Sequence, residues 1–271
     1  MRFRILSHDD FRSLVEKSSN FGERATSAFL ISPNARISSG HTESGVFCHT
    51  ATELNKLTIS RIFDFIVYEN EYGRDPAIVC EEIDGLQSII ETGLNELPDA
   101  NMVRTTDPKW AVHSTSFING RAILNDGKIK SQKRLLSEGY FTSHQLGFQV
   151  TGEPDDYLEH INFGNVTGVF PENVVRSNQT GVMGMLFDEP YNPGYRFYID
   201  VHGVIKNGLS IRTGAAFFKA EGSLSIQDFV VCIVSVEDFE KQDWTPRKFT
   251  VEANKQFVKY LKSAGKPRNN C

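Results

Sequence analysis

Apolar positions follow two different rhythms along the chain. Up to about residue 105 they recur every three or four places, which predicts helices. Ser7-His8-Asp9-Asp10 caps a short helix that carries Phe11, Leu14 and Val15 on one face. Thr50-Ala51-Thr52-Glu53 has the capping-box pattern. After it, Leu54, Leu57, Ile62, Phe63, Phe65 and Ile66 form one apolar stripe that Gly73 closes. A further helix is predicted over 81–97, with Pro98 beyond it. Ala28 to Ile31 reads as a short strand, and 33–45 as a polar loop.

The rhythm changes near Asp107-Pro108. From Trp110 onward short β-type runs are separated by glycines: 110–113, 196–201 with alternating polarity, 215–219 and 229–236. Residues 116–125 predict a short helix that ends at Gly127, with Ile118, Ala122 and Leu124 on its apolar side. Residues 130–195 are rich in Gly, Asn and Ser and read as loop-rich. A last helix follows Thr250, carries Phe257, Val258, Tyr260 and Leu261, and stops at Gly265 before Pro267. The fold class expected is α+β, with a mainly helical region over 1–105 and a compact mixed-β domain over 106–271.

Composition narrows the chemistry. The chain has 271 residues and a formal net charge of −5, which excludes a protein that is basic overall and leaves room only for a local basic patch. Its apolar runs are strand-sized, far below the roughly 20 residues of a membrane helix. Met1-Arg2-Phe3-Arg4-Ile5-Leu6 runs at once into His8-Asp9-Asp10, without the apolar stretch of a signal peptide. The expected address is the cytoplasm, with no membrane partner. Cysteines stand at 48, 80, 232 and 271 without a CxxC pair, and the seven histidines lack an HExxH spacing, so no metal site is expected.

Two stretches carry candidate chemistry. His113-Ser114-Thr115 ends a strand and precedes a helix, an arrangement that turns side chains and backbone amides toward a crevice. Such groups suit a ribose hydroxyl and a carboxamide. About a hundred residues later, Glu221 sits between strand-like segments in Phe218-Lys219-Ala220-Glu221-Gly222-Ser223. A glutamate on a strand edge beside a polar cleft can orient a sugar hydroxyl and stabilise a cationic transition state. Lys128, Lys130, Lys133 and Arg134 form a basic run that reads as a solvated face or as a phosphate contact, with Arg196 and Arg212 as additions. Phe141, Tyr191 and Tyr195 are candidates for base stacking.

The order His-Ser-Thr, short helix, glycine turn and late Glu resembles the ADP-ribosyltransferase superfamily over about residues 109–240. Asp156-Tyr157-Leu158-Glu159-His160 and Ala220-Glu221 are similar to segments of the DarT-type toxins that modify nucleic acids. Val112 to Ile129, Ile199-Asp200-Val201 and Asn207-Gly208-Leu209 are similar, more distantly, to the tRNA 2′-phosphotransferases. The resemblance implies a split-sheet domain that takes NAD as its substrate. His113 would bond the nicotinamide ribose, the Ser114 backbone would hold the carboxamide, and Thr115 and Asn119 would line the pocket. Arg134 and His160 would join the NAD contacts, Tyr157 would stack on nicotinamide, and Glu221 would be the catalytic acid.

Departures from the family patterns select among acceptors. Ser114 stands where many members have Gly, and Arg104 is too close to Ser114-Thr115-Ser116 for the arginine-directed toxin signature. Lys219 occupies the place of a second acid, which argues against a protein-arginine acceptor. The Arg-His opening of the phosphotransferases is absent. What the resemblance then implies is transfer of ADP-ribose to an RNA or DNA base by a bacterial toxin or phage-defence effector, with an antitoxin as partner. The alternatives are an RNA 2′-phosphotransferase, a protein ADP-ribosyltransferase and a non-catalytic binding module.

Overall fold

A computed structural model describes residues 1–17, 27–34, 38–41, 46–81, 84–140, 154–182, 184–215 and 217–264. The chain divides into two compact units. The first takes Met1–Thr106, Gly147–Tyr157 and Ser210–Lys219, and the second takes Asp107–Leu146, Leu158–Leu209 and Ala220–Cys271. The architecture mixes helices with sheets of several strands in both units.

The first unit is built from β1 (Arg4–Leu6), α1 (His8–Lys17), β2 (Ala28–Ile31), β3 (Ser38–His41), β4 (Phe47–Ala51), α2 (Lys56–Glu71), β5 (Ala77–Val79) and α3 (Leu86–Asn95). Its sheet has the order β1-β5-β2-β4-β3, with the first four strands parallel to their neighbours and β3 antiparallel at the edge. One face buries Phe29, Ile31 and Ile78 under Ile62, Phe65 and Ile66 of α2 and Leu86 and Ile90 of α3. The other buries Ala28, Cys48, Ala77 and Val79 under Phe11 and Val15 of α1.

This corrects the expectation that 1–105 is mainly helical. The central strands β2, β4 and β5 are runs of three to five residues buried without alternation, and β3 is the polar run Ser-Ser-Gly-His, so only β2 was visible as a strand. The expected capping box is displaced as well. Thr50 belongs to β4, and α2 starts later, capped by Asn55, whose side chain accepts the Thr58 amide at 3.0 Å. The expected polar loop 33–45 holds β3, and its residues 35–37 and 42–45 lie outside those described.

The second unit contains β6 (Trp110–Thr115), α4 (Phe117–Asp126), β7 (Lys128–Lys130), α5 (Gln132–Ser137), β8 (His160–Asn165), α6 (Phe170–Thr180), β9 (Tyr195–Asp200) and α7 (Val201–Lys206). The short β10 (Ser210–Ile211) falls in the first unit, and β11 (Phe218–Glu221) runs out of it, so that Ala220 and Glu221 belong to the second. β12 (Ser223–Ser225), α8 (Ile226–Phe229), β13 (Val230–Ser235) and α9 (Pro246–Ala264) complete the second unit. Its main sheet runs β11-β8-β6-β9-β13, and β7 pairs with β12 as a separate ribbon.

Strand β6 lies at the centre, antiparallel to β8 and to β9. On one face Val112, Tyr198 and Val234 pack with Val175 of α6 and with Phe249, Ala253 and Phe257 of α9. Tyr198 and Phe257 stack with ring centroids 4.0 Å apart. Gly194 leads into β9 so close to the β6–α4 turn that a Cβ there would lie 2.4 Å from the Thr115 carbonyl oxygen and 2.3 Å from the Phe117 nitrogen. Those are backbone atoms, so only glycine fits.

The stretch expected to be loop-rich, 130–195, carries α5, β8 and α6, while its residues 141–153 and 183 lie outside those described. The strand expected at 215–219 is β11, three residues later, and the last helix begins at Pro246 rather than after Thr250. The expected stop at Gly265 and Pro267 lies outside the described residues. Among the described residues no helix is long and apolar enough to cross a membrane.

Candidate functional site

The candidate site grows from the end of β6. Ser116 caps α4, accepting the Asn119 amide at 3.4 Å, and Gly127 ends the helix in the left-handed region at φ 71°. These local signals hold the strand-to-helix turn in which Thr115 sits and expose Asn119 on the first turn of α4.

Alternation along β6 separates the side chains of the His-Ser-Thr motif. His113 and Thr115 share one face, both partly exposed. His113 lies with its ring centroid 6.1 Å from that of Phe163 and 6.4 Å from that of Phe197. Burial among these rings pulls the His113 pKa down to about 4, against a hydrogen bond with the Asn162 backbone. At neutral pH the imidazole is therefore neutral; its N–H is given to the Asn162 backbone, which leaves the lone pair of the other ring nitrogen for a polar ligand.

Ser114 points the other way, beside its cross-strand partner Arg196. Its hydroxyl donates to Glu172 Oε1 at 2.5 Å. Arg196 Nη1 donates to the same carboxylate oxygen at 2.9 Å, and the Tyr191 hydroxyl donates to Oε2 at 2.8 Å. Arg196 and Glu172 are 0% and 1% exposed. With its side chain so engaged, Ser114 offers a ligand only its backbone.

Glu221 and His160 are brought to the same rim of the sheet as Thr115. The β6–β8 register pairs Ala111 with Asn165 and Val112 with Gly164, so the start of β8, where His160 lies, runs beside the end of β6. The Gly222 amide donates to the Glu159 carbonyl at 3.2 Å, which sets the end of β11 beside the start of β8. The Ser131 amide donates to the Gly222 carbonyl at 2.7 Å and braces the same turn. Glu221 is exposed on this rim, and His160 is buried in it. Strand β8 intervenes, so about 10 Å of sheet separates β11 from β6.

Several expected site residues lie elsewhere or are already engaged. Tyr157 belongs to the first unit and is 2% exposed. Its hydroxyl is hydrogen-bonded to His49 Nε2 at 3.1 Å, the Lys219 ammonium lies 3.0 Å from its ring centroid, and Phe47 and Tyr68 pack edge-on. It has no open face for a nicotinamide. The basic run is largely neutralised. Lys130 meets Asp126 at 2.7 Å and Glu138 at 2.5 Å, Arg134 meets Glu138 at 2.6 Å, and Lys133 pairs with Glu159. Arg134 is thus an ion-pair partner of its own helix turn rather than a free NAD contact.

The proposed additions to the basic run are also engaged. Arg196 is the buried residue described above, and Arg212, in the first unit, donates to the carbonyls of Ala100 and Met102. Tyr191 and Tyr195 are 8% and 6% exposed, which removes them as base-stacking platforms. Phe141 lies outside the described residues.

Sequence reasoning missed Glu172. As an acid in the first turn of α6 it reads as a solvent-facing helix start. The available signal was Arg196 in the apolar run Tyr195-Arg196-Phe197-Tyr198-Ile199, because a buried guanidinium requires a carboxylate. No protein-family model, curated protein or solved structure matches the chain.

Proposed function

We propose that the second unit is an NAD-dependent ADP-ribosyltransferase with an ADP-ribosyltransferase-like split sheet, its site at the rim where β6 and β11 end and β8 begins, and that its acceptor is a base of RNA or DNA. The observation that supports this reading most is the common rim of Thr115, His160 and Glu221, with the neutral His113 two residues inside it. In this reading His113 and Thr115 bond the nicotinamide ribose, the Ser114 backbone takes the carboxamide, and Asn119 borders the pocket. Glu221, exposed on the facing edge, stabilises the oxocarbenium-like ribose as nicotinamide leaves and accepts the acceptor proton. Contact with the nucleic acid falls to few cations, Lys128 among them, because the rest of its run is ion-paired.

The test is transfer of label from adenylate-labelled NAD to RNA, DNA or cell protein by the purified chain. Wild type is expected to label nucleic acid. Glu221→Ala and His113→Ala are expected to lose about 100-fold or more in rate. Turnover only on RNA with a 2′-phosphate would move the reading to the phosphotransferases. Equal labelling by wild type and Glu221→Ala would remove the catalytic assignment.

A further inference from the structure

Among the described residues, the second unit holds more buried positive charge than its carboxylates neutralise. Helix α6 buries Glu172 and, one turn on, Arg176, which is 7% exposed. At that spacing on a helix a glutamate and an arginine ordinarily pair. Here the Glu172 carboxylate is taken by Ser114, Tyr191 and Arg196. Arg176 is left with its Nε and Nη1 buried and without a hydrogen-bond partner. Together these atoms carry three N–H donors. An unmatched buried guanidinium is costly, and the cost is relieved by an anion that brings both charge and acceptor oxygens.

We infer that Arg176 marks an oxyanion-binding site on α6 that takes a phosphate or carboxylate group. A planar guanidinium matches either group through parallel N–H···O bonds. At 7% exposure the side chain is largely withdrawn from water, which strengthens any ion pair formed there. Asn173, one turn back, is spent on the Gly184 carbonyl at 2.7 Å and the Leu186 amide at 3.2 Å, so selectivity for anions rests on Arg176. The site is independent of the NAD reading, since Arg176 belongs to the helix that packs behind Ser114, away from the face of His113.

The experiment is thermal unfolding of the full chain with sodium phosphate, sodium acetate or sodium chloride at matched ionic strength, for wild type, Arg176→Met and Arg176→Lys. Phosphate raises the stability of folded proteins in general, so the quantity read is wild type minus variant. A saturable rise in Tm of about 3 °C is expected for wild type and none beyond the general effect for Arg176→Met. Arg176→Lys, which keeps the charge without the fork, is expected to fall between them. A larger response to phosphate than to acetate assigns the site to phosphate groups, and the reverse to carboxylates. Equal responses of wild type and both variants to every anion would overturn the site, and Arg176→Lys decides the matter if Arg176→Met fails to fold.

Discussion

Each unit encloses a buried ionic cluster, and the two close differently. In the first unit, Arg74 is clamped between two carboxylates, with Nε 2.6 Å from Glu69 Oε2 and Nη1 2.7 Å from Asp156 Oδ1. Ser27 and Tyr68 donate to the same carboxylates, and the guanidinium carbon lies 5.1 Å from the Tyr72 ring centroid. None of the buried side-chain atoms of Arg74, Glu69 or Asp156 lacks a hydrogen bond. Burial pushes the Asp156 carboxyl up, but the bonds from Arg74 and Tyr68 outweigh it and hold the pKa below the ordinary range.

In the second unit the stoichiometry is reversed, with one carboxylate, Glu172, facing the guanidinium of Arg196 while Arg176 is left over. A closed cluster ties backbone segments together, here α2 to the stretch around Asp156. The open one leaves the Nε and Nη1 donors of Arg176 unmatched among the described residues.

Substitution at the two arginines tests that contrast with the largest expected effect. Arg74→Met leaves two carboxylates buried without their cation and should cost about 3–5 kcal/mol in urea unfolding. Arg176→Met removes a charge that had no partner and should cost no more than about 1 kcal/mol without added anion. Equal losses would erase the difference between the clusters.

Acid sharpens the comparison from the side of the candidate site. The folded pKa of His113, about 4, lies below the ordinary 6.5, so the unfolded chain binds the extra proton. The stability that this shift contributes is complete above pH 6.5, is lost as the pH falls from 6.5 toward 4, and does not return below. Allowing for the partial exposure of the ring, the loss is about 1–3 kcal/mol. His49 in the first unit is held neutral too, by burial first and then by the charges of Lys219 and Arg61. The measurement is therefore a difference: His113→Asn should flatten the stability curve over that window relative to wild type. An unchanged slope would mean that the ring is solvated.

What was legible in the sequence was local. The β6–α4 turn announces itself through Ser116 and Gly127, and α1 through the spacing of Phe11 and Val15. What was not legible was non-local. The three-residue strands β1 and β5 pair in parallel across more than seventy residues, and β5 pairs again with the distant β2. The ion pairs that neutralise the basic run were half visible, since Lys130–Asp126 and Arg134–Glu138 are four residues apart, whereas Lys133–Glu159 joins α5 to the turn before β8. Of the candidate site, His113, Thr115, His160 and Glu221 converge on one rim, whereas Tyr157 was read as a ligand contact from a motif whose middle lies at the boundary between the units. Glu172 was hidden because its partners come from β6, β9 and the residue Tyr191, none of them near it in a motif.

The most direct measurement is a crystal structure of the full chain soaked with NAD. Nicotinamide and its ribose are expected at the rim, within hydrogen-bond distance of His113 and Thr115, with the Glu221 carboxylate beside the glycosidic bond. Nucleotide bound away from β6, or a rim left empty under NAD concentrations that saturate labelling, would contradict it.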